Sequence, residues 1–143
     1  MELSYASLDL YLPRRAHEAA ELLVGRGSRD LKPFERQIDF WWAGLCVGVA
    51  LDLQTDTDRD AVKFNQGSIL QADATRVVQL ELLALAVGGP SALDTPRGVL
   101  ELASRYANGG CLWLASKLGS STEPILGLFN ELSGCGMLES GRD

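Results

Sequence analysis

The chain has 143 residues, of which 46% are hydrophobic, and it carries a formal net charge of −6 at pH 7. This length and composition predict one globular domain with a single core, and they argue against wholesale disorder. The negative charge argues against broad, non-specific nucleic-acid binding, which needs basic surface to neutralise phosphates, although it leaves room for a local basic patch.

The cysteines and the N-terminal residues indicate a cytoplasmic protein. Cys46, Cys111 and Cys135 are odd in number and far apart, which favours a reducing compartment over a disulfide framework. The longest uncharged run near the tryptophans, residues 40–51, is too short to span a bilayer. The first residues lack a basic region followed by an apolar stretch, so we expect no signal peptide.

The N-terminal residues predict a strand followed by a helix. Residues 3–12 alternate loosely between apolar and polar side chains, which is the period of a half-buried strand. Pro13 then suits the first turn of a helix, because its φ is fixed near the helical value. Ala16, Ala20 and Leu23 recur at helical spacing and predict one apolar face for this helix.

The second helix pattern is apolar on nearly every side. We expect it to open at Pro33 and to end near residue 51. A helix of this kind is buried by more than one neighbouring helix. One stripe along it is formed by Ile38, Trp42, Leu45 and Val49.

Small and aromatic residues in this helix predict association. Gly44 and Gly48 lie one turn apart, so another helix can approach closely there. Trp41 and Trp42 point about 100° apart on a helix, so both cannot fill one narrow groove. Core packing is the default for each tryptophan, Trp113 included, but tryptophan is also enriched at binding hot spots. We therefore predict an interface that includes Trp41, Trp42, Gly44, Gly48 and Trp113.

The middle of the chain predicts a connector, a turn and a long helix. Residues 52–60 form an acidic segment, which departs from the calcium-loop pattern at the positions of Ala61 and Gly67. Residues 65–68 have the composition of a turn. Asp73 is a plausible N-cap for a helix over 74–87, which we expect to be the central core helix.

The C-terminal third predicts two more helices. Thr95 and Pro96 have the pattern of a cap followed by a first-turn proline. Residues 108–110 are expected to break or bend the helix that they start. A short helix follows Pro124, and residues 136–143 are expected to fray. The chain as a whole, 1–143, is thus predicted to be a single, compact, mainly α domain of about five helices with a short N-terminal strand.

No catalytic, metal or cofactor motif is recognisable. His17 is the only histidine and lies on the polar face of the first helix pattern, without a serine or cysteine motif beside it. The glycine pairs at 88–89 and 109–110 carry no phosphate-loop lysine. We therefore expect a protein that is not an enzyme and that holds no metal ion or cofactor.

Basic residues concentrate near the N-terminus. Six of the 13 lysines and arginines lie within residues 14–36. They are Arg14, Arg15, Arg26, Arg29, Lys32 and Arg36. Arg14 and Arg15 stand in the first turn of a helix, where the helix dipole disfavours cations unless a phosphate is bound there. Contact with a DNA backbone is one interpretation. An ordinary mixed-charge surface is the other, since seven acidic residues lie within residues 2–39.

Four segments carry a resemblance to a known family. They are LPRRAHEAAELL (12–23), WWAGLCVGVAL (41–51), FNQGS (64–68) and YANGGCLWL (106–114). In their order, and over about residues 5–118, they resemble the small E subunit of bacterial DNA-phosphorothioation (Dnd) systems. The resemblance implies a helical homo-oligomer, a tetramer in that family. It would be an accessory subunit of a DNA-modification or phage-defence complex, with larger DNA-handling subunits as partners.

That family is also associated with nicked duplex DNA, which it binds through a lysine-rich surface. Here Lys32, Lys63 and Lys117 are the only lysines, so a scaffold role without direct DNA binding fits the composition better.

Two other functions stay open. The leading strand and two helices look like a ribbon-helix-helix DNA-binding regulator, in which two chains pair their strands and outward residues read base edges. Those outward residues would be Ser7, Asp9 and Tyr11. The carboxylate of Asp9 is unfavourable beside phosphates. A helical domain that binds a small molecule is compatible with the predicted core, although no motif points to it.

Overall fold

The structure is a computed structural model that describes residues 3–25, 32–119 and 124–134. In chain order the elements are β1 (Asp9–Leu12), α1 (Arg14–Leu23), α2 (Gln37–Leu51), β2 (Val62–Gln66), α3 (Ser68–Gln71), α4 (Ala74–Gly88), a 3-10 turn (Pro90–Leu93), α5 (Pro96–Leu118) and α6 (Pro124–Gly134). This arrangement confirms the mainly helical domain with a short N-terminal strand. The predicted basic residues Arg26 and Arg29 and the predicted frayed tail, 136–143, lie outside the described residues.

The central helix is α5, which packs along α2 and also contacts α1, α4 and α6. Buried residues occur along its length from Val99 to Leu118. The expectation that the helix after Asp73 is central was wrong, because α4 fully buries only Leu80 and Ala84. Within the described segments, no helix is long and apolar enough to cross a membrane.

The contact between α2 and α5 is made by glycines, which bring the two backbones together. A Cβ atom at Gly48 would overlap the carbonyl group of Tyr106, and one at Gly110 would overlap the carbonyl group of Gly44. A Cβ atom at Gly44 would lie 2.8 Å from the amide nitrogen of Cys111. We expected Gly44 and Gly48 to face another chain. Instead, α5 of the same chain covers them.

Of the expected break or bend at residues 108–110, the break does not occur, since α5 is continuous from Pro96 to Leu118. A Cβ atom at Gly109 would lie 2.7 Å from the carbonyl oxygen of Leu53. The glycines therefore serve close packing on two sides of the helix, and this packing offsets the roughly 1 kcal/mol that each glycine costs in helix propensity relative to alanine.

This contact decides which side of α2 is buried. Trp41 is fully buried in the core and Leu45 is nearly so, whereas Val49 is 42% exposed. Trp42 is half-buried. The predicted stripe is thus only partly correct: Ile38 and Leu45 lie in the core, but Val49 faces solvent because the glycine side of the helix turns towards α5. Trp41, predicted at an interface, lies inside the chain.

The strand at the N-terminus is shorter than predicted, but its alternation is confirmed. Leu10 and Leu12 are buried, whereas Tyr11 is exposed. β1 pairs antiparallel with β2, Leu12 lies opposite Val62, and the register shifts between Leu10 and Tyr11. The partner strand belongs to the same chain, while the ribbon-helix-helix arrangement pairs strands from two chains.

β2 was not predicted. Residues 65–68, which were expected to form a turn, instead complete β2 and begin α3. The amide of Gly67 donates a hydrogen bond to the carbonyl oxygen of Leu8, at 2.6 Å. A Cβ atom at Gly67 would overlap the carbonyl group of Tyr5. Gly67 therefore lets the end of β2 pack against the backbone of residues 5–8, which lie far away in sequence.

Helix starts were predicted well where the cap is local. Asp73 accepts hydrogen bonds from the amides of Thr75 and Arg76 at the start of α4. Thr95 accepts one from the amide of Gly98 at the start of α5, at 3.0 Å. Pro13 is the N-cap residue of α1 rather than its first helical residue.

The start of α2 was predicted four residues too early. The helix begins at Gln37 and not at Pro33. Phe34 forms an isolated backbone bridge with Val24, and its amide donates a hydrogen bond to the carbonyl oxygen of Leu23, at 3.1 Å. This pairing holds the residues after Pro33 in an extended conformation, so the helix starts only beyond them.

We predict that Gly48→Ala lowers the free energy of unfolding by about 3 kcal/mol, because the added methyl group meets the Tyr106 backbone and forces α2 and α5 apart. Gly134→Ala is the matched control, since a Cβ atom at the end of α6 meets nothing within 4 Å. Urea unfolding of both variants tests this. Equal stability of the two variants would show that the crossing is not constrained by its glycines.

Candidate functional site

The outer side of α4 presents an uncharged, largely apolar face to solvent. Val78 is 54% exposed, Leu82 is 59% exposed and Leu85 is 40% exposed. Their spacing of four and three residues places them in one row along the helix. We define the outer face of α4 as this row with its exposed neighbours: Thr75, Val78, Gln79, Leu82, Leu85 and Ala86.

The two charged residues of α4 point away from this face. Glu81 accepts a hydrogen bond from the hydroxyl group of the buried Tyr5, at 3.0 Å. Burial and the nearby carboxylate both raise the pKa of Tyr5. Arg76 reaches towards α2, where its Nη2 atom lies 3.1 Å from Oδ1 of Asp39. Both charged groups therefore attach α4 to the rest of the fold and leave its outer face uncharged.

The start of α4 is held by a small charged cluster. Oδ1 of Asp39 accepts a hydrogen bond from Nη2 of Arg76, at 3.1 Å. The two carboxylate oxygens also accept hydrogen bonds from the side chain of Arg36, each at 3.2 Å. The guanidinium group of Arg76 also lies over the ring of Trp42, 5.1 Å from its centroid. Trp42, which we predicted at an interface, is therefore half covered by a side chain of the same molecule.

The charges of this cluster change the acidity of Asp39. Partial burial alone would raise the pKa of this carboxyl group. The hydrogen bonds and positive charges of Arg36 and Arg76 outweigh burial, so the pKa lies below its ordinary value. The ionised form of Asp39 is thus the one that the folded protein stabilises.

The described basic residues of the N-terminal region do not form one patch. Lys32 donates from Nζ to the carbonyl oxygen of Glu21, at 2.7 Å, and so satisfies the end of α1. Arg36 is engaged with Asp39. Arg14 and Arg15 are exposed on the first turn of α1. Among the described basic residues of this region, only Arg14 and Arg15 are exposed and form no ion pair with another described residue.

Trp113, the remaining residue of the predicted interface, is half-buried on α5. Nζ of Lys117 lies 5.9 Å from the centroid of its ring. The same Nζ atom lies 3.9 Å from a carboxylate oxygen of Glu131, which links α5 to α6. Like Trp42, Trp113 is therefore partly covered by a cationic side chain of the same chain.

An open pocket of about 440 Å³ lies beside the first half of α5. We call it the polar pocket. Its walls come from the start of β1, from the connector after α2 and from α5. Its charged and polar lining includes Asp9, Asp56, Thr57, Arg97, Glu101 and Arg105. We did not single out Arg97, Glu101 and Arg105 from the sequence, although their spacing of four residues places them on one helix face.

One wall of the polar pocket is fixed by Asn108, which is 1% exposed. Its side-chain amide donates to the carbonyl oxygen of Thr55 and to the hydroxyl oxygen of Thr57, both at 3.0 Å. The amide of Thr55 donates in turn to the carbonyl oxygen of Arg105, at 2.9 Å. These bonds clamp the connector against α5 and set the position of Asp56 between the two threonines.

Within the part of the chain that the structure describes, no group of three or more histidine, cysteine, aspartate or glutamate side chains is placed to hold a metal ion. Comparison with protein-family models, with curated proteins and with solved structures found no match to this chain.

We predict that Asp39→Asn destabilises the protein by about 1 kcal/mol at pH 7, chiefly because the partly buried Arg76 loses its charge partner. The exposed Arg36 loses the same partner, but solvent screens that contact. Because the folded-state pKa of Asp39 is depressed, its contribution is present above the unfolded-state value of about 3.9 and is lost as the pH falls through the folded-state value. The difference between wild type and variant should therefore shrink in acid.

Urea unfolding at neutral and at acidic pH measures this difference. Asp94→Asn is the matched control, because the carboxylate of Asp94 is exposed and makes no ion pair within the described residues. A destabilisation by Asp39→Asn that stays constant down to the most acidic pH would contradict a role for its charge.

Proposed function

We propose that this protein is a non-catalytic scaffold subunit that assembles with a second copy of itself through the outer face of α4. The observation that carries the proposal is the row of exposed apolar side chains on that face. Exposed apolar side chains that lie side by side, rather than scattered, are typical of surfaces that bind another protein.

The absence of charge from the outer face favours a second copy as its occupant. In a two-fold symmetric dimer each residue near the axis meets its own counterpart, so any charged side chain there would face a like charge. The outer face of α4 contains none, although each chain carries a net charge of −6. A neutral patch is the part of such an acidic molecule where two copies approach each other at the lowest electrostatic cost.

The spacing of the outer face also fits a helix-to-helix contact. Thr75, Val78, Leu82 and Leu85 are separated by three, four and three residues. This alternation keeps one side of a helix facing a neighbour that runs nearly parallel or antiparallel to it. Two copies of α4 can therefore lie side by side with their exposed leucines interdigitated.

The energy available is enough for a weak dimer. Full burial of a valine or leucine side chain contributes about 1.5–3 kcal/mol. Val78, Leu82 and Leu85 are each about half exposed, so covering them supplies roughly 3 kcal/mol per chain and roughly 6 kcal/mol per pair. Association itself costs about 4–15 kcal/mol. The assembly is consequently concentration-dependent, and a larger oligomer needs further surface.

The resemblance to the small E subunit of Dnd systems supports a more specific role for the scaffold. In that role the oligomer docks to larger DNA-handling subunits of a DNA-modification or phage-defence complex. The charge of the chain supports docking rather than DNA binding by the isolated protein. Of the predicted contact residues that the structure describes, only Arg14 and Arg15 are exposed and outside any described ion pair.

We predict that Leu82→Gln shifts the protein towards monomer, because the substitution places a polar side chain at the centre of the outer face. Leu22→Gln is the matched control, since Leu22 is 51% exposed but lies on α1. Sedimentation equilibrium over a range of concentrations measures the dissociation constant, which should rise at least tenfold for Leu82→Gln and remain unchanged for Leu22→Gln.

A wild-type chain that is monomeric at every accessible concentration would overturn the proposal. So would an equal effect of the two substitutions, since a general change in surface polarity would then explain the result. Circular dichroism of both variants establishes that they are folded. Both leucines are more than half exposed, so neither substitution removes a core contact.

We also predict that the isolated protein does not shift a nicked DNA duplex at physiological salt, because its net charge opposes the release of counterions from the DNA. An electrophoretic mobility assay at low and at physiological salt tests this. A salt-sensitive complex that is lost in the Arg14→Glu, Arg15→Glu double variant, with the oligomer intact, would favour the DNA-binding regulator over the scaffold.

A further inference from the structure

The polar pocket is not used by the scaffold role, and four of its five charged lining residues form no ion pair within the described residues. Arg97 and Arg105 lie two turns apart on α5, with Glu101 between them. Asp56 reaches the same pocket from the connector. None of these four side chains takes part in an ion pair within the described residues, whereas Asp9 is paired with Lys63 at 3.0 Å.

We propose that the polar pocket binds a small zwitterion of the α-amino-acid class. Two unpaired guanidinium groups offer donors to a carboxylate, and two unpaired carboxylates accept hydrogen bonds from an ammonium group. A ligand of one sign would find a repulsive group beside each attractive one. A ligand with one ammonium and one carboxylate group can pair with both kinds of charge in the pocket.

Pairing along α5 itself does not compete strongly with such a ligand. Glu101 is four residues from each arginine, and exposed ion pairs at that spacing are weak because water screens them. Hydrogen bonds between charged groups and a ligand held in a pocket are stronger than such exposed pairs. Asp56, which reaches the pocket from the connector, forms no ion pair with any described residue.

The pocket is formed before any ligand arrives, because its connector wall is clamped. Asn108 binds Thr55 and Thr57 on either side of Asp56, and the Thr55 amide binds the carbonyl oxygen of Arg105. A ligand therefore does not have to order this wall, and less of its binding energy is spent on doing so.

The apolar residues that line the pocket favour amino acids with an apolar side chain. Leu100 is buried at 6% exposure and Leu8 is half-buried, and both line the pocket. They provide an apolar contact for the side chain of the ligand, and the 39% exposed Tyr11 also lines the pocket. The volume of about 440 Å³ lies within the range of small-molecule sites. The ligand class is thus an amino acid with an apolar or aromatic side chain.

Isothermal titration of the full-length protein with phenylalanine and leucine tests the proposal. We expect both to bind. N-acetylphenylalanine lacks the ammonium group and phenylalanine amide lacks the carboxylate, so each should bind at least tenfold more weakly than phenylalanine. Arg105→Gln and Asp56→Asn should each weaken binding of phenylalanine at least tenfold. Arg59→Gln is the matched control, because Arg59 is exposed on the same connector but does not line the pocket.

Four outcomes would overturn the proposal, of which three concern the amino acids themselves. These three are no binding of either amino acid at its solubility limit, equal binding of phenylalanine and its two blocked analogues, and equal affinities in Arg105→Gln and Arg59→Gln. Tight binding of succinate or inorganic phosphate in place of the amino acids would also overturn it, since a site for anions would then be present. Leu82 is not part of the pocket, so failure of the proposed dimer leaves this test unchanged.

Discussion

The backbone-to-backbone contact between α2 and α5 is the constraint on which the rest of the fold depends. With glycine at positions 44 and 48 facing glycine at 110, the two helices approach until carbonyl groups meet main-chain atoms. Such a contact leaves little freedom to rotate either helix, because any other face would bring a side chain into the gap. It therefore places Trp41 in the core, turns Val49 to solvent and makes α5 the central helix.

The exposed face of α4 follows from that arrangement. α5 is packed along α2 and also contacts α1 and α6, and α4 reaches the core chiefly through Leu80 and Ala84. Two polar contacts also attach α4 to the rest of the fold: Arg76 pairs with Asp39, and Glu81 accepts a hydrogen bond from Tyr5. A helix attached in this way keeps its apolar outer side uncovered. The surface proposed for assembly is thus a consequence of how the core is divided among the helices.

The same central helix creates both the tight contact and the open pocket. Near its middle, α5 uses small residues to approach α2 and the connector, and Asn108 satisfies the connector's polar groups. Towards its start, α5 carries the long charged side chains of Arg97, Glu101 and Arg105. These side chains line the polar pocket together with residues of β1 and of the connector. A buried amide that binds two groups of the connector is costly to leave unpaired, so the pocket wall is held firmly in place.

Features that depend on near neighbours in the chain follow from the amino-acid pattern alone. The Asp73 and Thr95 caps, the alternation in β1 and the extent of α4 depend on residues within one or two turns. Only the tertiary structure decided how the ambiguous residues are used. Residues 108–110 are locally poor helix formers, yet packing against α2 outweighs that cost. An apolar helix pattern does not reveal which face is covered, and the polar pocket joins three segments whose proximity depends on the packing of α5.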